Sequence, residues 1–273
     1  RARMKDCGYY RQIPVAEGVS VLYREAGHIL GATSVEMTVS DGGETKKIVF
    51  SGDIGPRGVP ILRDPDPPES CDLAFLESTY GDREHPPAQA AIDALIRIVR
   101  ETIFNKQRVL IPAFAIGRTQ MLLYYLGEAV RHGKLPASTP VFLDSPAAMR
   151  ATMVYRKHEE LFDGEAAKLA KTGTFEQSLK NFRIVETATE SRSLNESWDP
   201  CVIIAGSGMC EGGRIVHHLR HNIWRRGTAL VLVGYMGEGT LGRKLGDGAK
   251  QVYIFNDPIA VRADVFKLDG FSA

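Results

Sequence analysis

Ala26-Gly27-His28-Ile29-Leu30-Gly31-Ala32 opens, and Phe50-Ser51-Gly52-Asp53-Ile54-Gly55 closes, the stretch that decides how this chain is read. Between them lie Ser34-Val35-Glu36-Met37-Thr38-Val39, the pair Gly42-Gly43, and Lys47-Ile48-Val49-Phe50. Alternating residues on either side of a glycine pair predict a β-hairpin. A hairpin returns its second strand to where the first began, so His28 before the first strand and Asp53 after the second should share one rim of a sheet. A neutral imidazole nitrogen and a carboxylate oxygen are both zinc ligands, so His28 and Asp53 are candidate metal residues. On these residues alone the plainer reading is a histidine at a strand end and an aspartate opening a turn.

Leu76-Glu77-Ser78-Thr79-Tyr80-Gly81 follows in the same order. Together the three motifs resemble the metallo-β-lactamase-fold nucleases with a β-CASP insertion. These include the ribonuclease J enzymes, related RNA-processing exonucleases, and the endonuclease subunit of the mRNA cleavage and polyadenylation factor. The resemblance runs over nearly the whole chain, and the combination carries it rather than any single motif. It implies an α/β protein of two domains. Residues 1–85 would be part of an αββα metallo-β-lactamase domain, residues 86–246 an inserted β-CASP domain, and residues 247–273 a return to the first.

The resemblance also implies a hydrolase of RNA phosphodiester bonds that uses two zinc ions to activate a water. His28 would bind one ion, Asp53 would bridge both, and Glu77 would orient a catalytic histidine beyond residue 273. RNA is the implied partner, with single-stranded DNA as the alternative and a homodimer compatible. The family carries an upstream His-x-His-x-Asp-His signature that is not found here, and its Ser-Ala, here Ser272-Ala273, is commonly followed by a histidine. The chain therefore reads as an internal piece of a longer protein. Two competing classes are a non-catalytic relative that binds RNA or a partner nuclease, and a small-molecule hydrolase or nucleotide-binding enzyme.

Composition narrows the field without choosing. Thirty-four basic against 33 acidic residues give a net charge of +1, so any basic surface must be local. Cys7, Cys71, Cys201 and Cys210 are scattered with no C-x-x-C, which fits neither a disulfide framework nor a thiolate metal site, and suits a reducing cytoplasm. No apolar run is long enough to span a membrane. Prolines at 56, 60, 65, 67 and 68 rule out regular structure after Asp53. Leu73-Ala74-Phe75-Leu76 reads as a short buried strand, with Glu77 at its carboxyl end. His85 reads as a surface-loop histidine that could line a cleft.

From about Ala88 the texture becomes that of a parallel α/β sheet. Strands are predicted at 109–111, 141–143, 202–205 and 230–233, after a helix with Leu95, Ile98, Val99 and Thr102 on one side. Each strand leads into a loop rich in small residues: Pro112-Ala113-Phe114-Ala115-Ile116-Gly117-Arg118, then Asp144-Ser145-Pro146, then Gly206-Ser207-Gly208-Met209-Cys210-Glu211-Gly212-Gly213-Arg214, then Gly234-Tyr235-Met236-Gly237. In a parallel sheet all four loops share one edge, where ligands bind. Glycine backbone there can approach a phosphate, a helix starting near Gly213 would aim its positive end at it, and Arg118 and Arg214 could add bidentate contacts. The candidate substrate-binding residues are Arg118, Ser145, Ser207, Gly208, Met209, Gly213 and Arg214. His217 and His221 stand one helical turn apart but lack an acidic partner at metal spacing. The run from His217 to Arg226 reads as a basic helix packed on the sheet, with an auxiliary hold on RNA left open.

Overall fold

The computed structural model describes residues 5–82, 87–172 and 179–271, and His85, Ser272 and Ala273 lie outside them. The chain divides into two compact units.

The first unit is built on β1 (Ile13–Ala16), β2 (Val19–Glu25), β3 (Thr33–Asp41), β4 (Glu44–Phe50) and β5 (Leu73–Phe75), adjacent in that order. The first four are antiparallel, and β5 joins β4 in parallel. The predicted hairpin is β3–β4, in register from Val35 opposite Phe50 to Asp41 opposite Glu44. Gly42 and Gly43 both have positive φ, as a two-residue hairpin turn with the strands' own twist requires. On one face Glu36 is buried between Arg24 at 2.7 Å and Lys47 at 3.0 Å. Burial opposes its charge, but these two cations hold its carboxyl below the usual carboxylate range. The segment 51–72 forms no strand or helix beyond an isolated bridge from Leu62 to Phe162, consistent with its prolines. That bridge, and the bond from the Asp163 amide to the Ile61 carbonyl, tie His158–Lys168 into this unit.

The expectation of a buried strand at Leu73–Leu76 is corrected. Leu73, Phe75 and Leu76 are 49, 51 and 68% exposed. Among the described residues β5 is an edge strand paired only with β4, and an apolar run does not by itself place anything over its face. Phe75 instead stacks on Phe50, with ring centroids 4.9 Å apart.

The second unit is a six-stranded parallel sheet in the order β13-β10-β6-β9-β7-β8. Its strands are β6 (Val109–Pro112), β7 (Val141–Asp144), β8 (Phe182–Ile184), β9 (Val202–Ala205), β10 (Ala229–Leu232) and β13 (Asp264–Lys267). Its helices are α1 (Ala88–Phe104), α2 (Arg118–Arg131), α3 (Pro146–Lys157), α5 (Ala188–Glu196), α6 (Arg214–Asn222) and α7 (Leu241–Gly246), while α4 (Gly164–Thr172) runs on from the segment held by the first unit. A hairpin, β11 (Gln251–Ile254) with β12 (Asp257–Ala260), lies between α7 and β13. Every residue of β6, β9 and β10 is buried, which is why these strands read as unbroken apolar runs. The predicted face of α1 is buried as expected, with Leu95, Ile98, Val99 and Thr102 all inside. No helix among the described residues is long and apolar enough to cross a membrane.

The expected return of residues 247–273 to the first domain is also corrected. β13 pairs in parallel with β10, from Asp264 opposite Ala229 to Lys267 opposite Leu232, and Phe271 is buried 6.0 Å from the Tyr125 ring. The second unit thus reaches past residue 246, and it omits His158–Lys168.

Candidate functional site

At the rim of the first sheet, two loops are pressed backbone to backbone. The Gly55 amide donates to the Ala26 carbonyl at 2.9 Å. A Cβ on Gly55 would stand 1.9 Å from the Gly27 carbonyl oxygen and 2.7 Å from the His28 nitrogen, so glycine is required there. The loops carrying His28 and Asp53 therefore meet, as the hairpin argument expects. His28 Nδ1 is buried and has no hydrogen-bond partner, a costly state for a ring nitrogen unless something else satisfies it.

Glu77 joins this rim. Its amide donates to Ser51 Oγ at 3.0 Å, and its carboxylate accepts from the amides of Ile54 and Thr79, each at 3.1 Å. Hydrogen bonds from Thr79 and then Ile54 hold the carboxyl below its ordinary range, with the nearby His28 acting in the same direction. The structure thus gathers the loops of His28, Asp53 and Glu77 at one rim. Among the described residues, no three His, Cys, Asp or Glu side chains are grouped to hold a metal ion.

The other predicted residues lie in the second unit, on loops at the carboxyl edge of its sheet. Strands β10, β6, β9 and β7 are neighbours there, so their four loops are neighbours too. The β9–α6 loop closes tightly. The Ser207 amide donates to the Gly212 carbonyl and the Ile215 amide to the Gly206 carbonyl, both at 3.0 Å. Gly213 has φ +72, and a Cβ on it would lie 2.4 Å from the Gly206 oxygen. Ser207 Oγ accepts from the amides of Glu211 and Gly212 at 3.0 and 3.2 Å. Gly208 is buried beneath the Phe114 ring, where a Cβ would come within 2.7 Å, and the Met209 carbonyl accepts from the Gly242 amide. Ser145 Oγ accepts from the Ala148 amide at 3.2 Å and so caps α3. Arg118 is half-buried at the first turn of α2. Cys210 is enclosed in this loop, and burial pushes its thiol up to about 12, so no thiolate forms there at neutral pH.

Arg214 is placed differently from the sequence expectation. Its side chain is only 19% exposed, and it donates to Asp144, to the Val185 carbonyl at 2.8 Å and to the Glu186 carbonyl at 3.0 Å. Its guanidinium is used within the fold, joining the start of α6 to the end of β7. Behind it lies a network that the sequence reading missed. Asp144 Oδ2 accepts from Ser191 Oγ at 2.5 Å and faces His218 Nε2 at 2.7 Å, while His218 Nδ1 faces Asn195 Oδ1 at 2.8 Å. Asn222 bonds Asn195 at 3.1 Å and receives Arg108 at 3.4 Å. Burial alone would raise the Asp144 carboxyl, but His218, Ser191 and Arg214 hold it below its usual range. The signal was present, since His218 falls on the same α6 stripe as Ile215, Leu219 and Asn222, all buried. His217 and His221, the pair considered for metal, are exposed, and His217 packs on Phe255 instead.

Residues 119–245, which include the loops after β7, β9 and β10 and the Asp144–His218 pair, match the Beta-Casp domain. This chain carries a β-CASP domain. A curated ribonuclease of Thermus thermophilus is 36% identical over 254 residues, covering 93% of this chain and 57% of that protein. An RNase J-like protein of Methanocaldococcus jannaschii is 35% identical over 269 residues, covering 97% and 60%. A transcription termination factor of the same organism is 31% identical over 271 residues, covering 94% and 41%. The chain thus spans less than two thirds of the length of each of these relatives.

Proposed function

We propose that this β-CASP chain belongs to a zinc-dependent ribonuclease that hydrolyses RNA phosphodiester bonds. The observation that carries the reading is the rim at which the His28 and Asp53 loops meet, with a buried, unsatisfied imidazole nitrogen at His28 and an ionised Glu77 beside them. An imidazole and a carboxylate fit zinc, though they supply only two of the roughly four ligands that zinc takes. His28 would hold one ion, Asp53 would bridge two, and the first unit would be part of a metallo-β-lactamase domain. Bound there, zinc would supply a Lewis acid at phosphorus and lower the pKa of a water. Glu77, fixed by two amides, would orient the group that moves the proton.

The glycine loops at the carboxyl edge of the second sheet would hold the RNA backbone, with Arg118 and the start of α6 as its phosphate contacts. The names of two relatives, a ribonuclease and an RNase J-like protein, support the choice of reaction. The test uses the whole protein and end-labelled RNA. Cleavage should stop with a chelator and return with zinc. RNA binding without cleavage at any zinc or manganese concentration would favour the non-catalytic reading instead.

The two arginines should separate by salt dependence. Arg118→Ala should lower the slope of log K against log salt by about 0.7, the share of one phosphate on a single strand. Arg214→Ala should leave the slope alone and lower the melting temperature, because its charge is already satisfied by Asp144. Slopes measured from about 50 to 200 mM salt decide this, and a fall in slope for Arg214→Ala would return that residue to the RNA.

A further inference from the structure

The opposite edge of the second sheet carries a feature that the proposed cleavage site does not use. Lys106, Gln107 and Arg108 precede β6, Trp198 and Asp199 precede β9, Thr228 precedes β10 and Arg262 precedes β13. The strands being parallel, all of these lie at the amino edge, about 13 Å of strand away from the glycine loops. A cavity of about 260 Å³ opens there, lined by Trp198, Trp224, Lys106, Arg225, Arg226 and Arg262 among others.

Two tryptophans stand exposed beside it, Trp198 at 67% and Trp224 at 41%, with ring centroids 6.3 Å apart and nearly perpendicular. Large aromatic rings are seldom left to water without a partner. The Arg225 guanidinium lies 4.0 Å from the Trp198 centroid and 5.4 Å from that of Trp224, which stiffens the pair and covers one side of it. Arg225 donates to the carbonyls of Asn195 and Ser197, and its Nε is buried without a partner. Burial, and then Arg108 close by, weaken its hold on its proton. Lys106, Arg226 and Arg262 are exposed, and none makes an ion pair among the described residues. Asp199, next to Trp198 in sequence, accepts from the Ser197 hydroxyl at 2.7 Å.

We infer that this edge is a second contact for single-stranded RNA, a base stacking on Trp198 or Trp224 and the flanking phosphates meeting Lys106, Arg226 and Arg262. Unstacked bases on aromatic side chains within a basic groove are how single strands are held without reading sequence. A duplex keeps its bases stacked on each other and cannot use the tryptophans. The cavity is smaller than the roughly 300–1,000 Å³ typical of small-molecule sites, which suits one base rather than a whole folded ligand. The inference rests on the proposed ribonuclease reading only for its choice of RNA as the polyanion.

The experiment uses the whole protein with labelled single-stranded oligouridylate of about 30 nucleotides, longer than the 4–16 that one binding face covers. Trp224→Ala should weaken binding about tenfold, and Trp224→Phe much less, since phenylalanine can still stack. Arg226→Gln with Arg262→Gln should lower the salt slope by about 1.4, two single-strand phosphates' worth. Duplex RNA of the same length should bind the wild type and Trp224→Ala alike. In cleavage, KM should rise and kcat should hold. Unchanged single-strand affinity in Trp224→Ala and in the double arginine variant, with cleavage intact, overturns this inference and leaves the ribonuclease reading standing. Equal losses for Trp224→Phe and Trp224→Ala with a lowered melting temperature overturn it too, by making the ring structural. Weakened binding in a protein that never cleaves upholds the contact and sinks the ribonuclease reading. A wild type that binds no RNA overturns both.

Discussion

Asp53→Asn in the whole protein should reduce RNA cleavage by about a hundredfold or more while RNA affinity stays within about twofold. The amide keeps the size and shape of the carboxylate but not its charge. The rim should therefore survive, because the contacts that set it are backbone ones: Gly55 to Ala26, and Gly55 pressed against Gly27 and His28. What is lost is the negative charge that Asp53 would offer two cations, and with it the electrostatic stabilisation that accounts for losses of this size. Affinity should hold because the loops assigned to the RNA backbone belong to the second sheet and do not involve Asp53. Single-turnover cleavage and binding, measured on one preparation with its metal content, decide the matter. Equal cleavage by the variant would remove Asp53 from the chemistry and leave this stretch as a hairpin alone.

The hairpin was legible because its chemistry is local. Two glycines with positive φ fix the turn, and the period-2 pattern fixes the strands, so the meeting of the His28 and Asp53 loops follows from geometry. The parallel sheet was legible for a similar reason. Strands buried on both faces read as apolar runs, and parallel connection forces their loops to one edge. What escaped were facts settled by tertiary pairing. Leu73–Phe75 looked buried because apolar, yet β5 is an exposed edge. Residues 247–273 were expected to return to the first domain, but only the register of Asp264–Lys267 with β10 shows which sheet that stretch joins.

Arg214 escaped for a different reason. An arginine after glycines at a helix start looks like a phosphate ligand, and nothing local reveals that an aspartate 70 residues earlier has already taken its charge. Trp198 and Trp224 were likewise invisible as a pair, since α6 and the turn after α5 bring them together across 26 positions.

Asp144→Ala should destabilise the second unit by about 3–5 kcal/mol, the usual cost of removing one partner from a buried ion pair. Asp144 and His218 are both fully enclosed, and without the carboxylate His218 Nε2 and Arg214 lose the acceptor they share. For a unit of this size the melting temperature should fall by roughly 10 °C or more. The acid limb provides an independent check. Because the folded Asp144 carboxyl is held below its unfolded value near 3.8, its contribution is present above that pH and lost as pH falls through the folded value. Asp144→Asn should therefore be less stable than wild type at pH 7, with the gap narrowing below about pH 4. Asp144→Ala combined with His218→Ala should cost at least about 1 kcal/mol less than the sum of the two single losses, since the second change removes a group already stranded by the first. Additive losses would show that Asp144 and His218 are adjacent without being coupled, and that β7 is held to α6 by Arg214 alone.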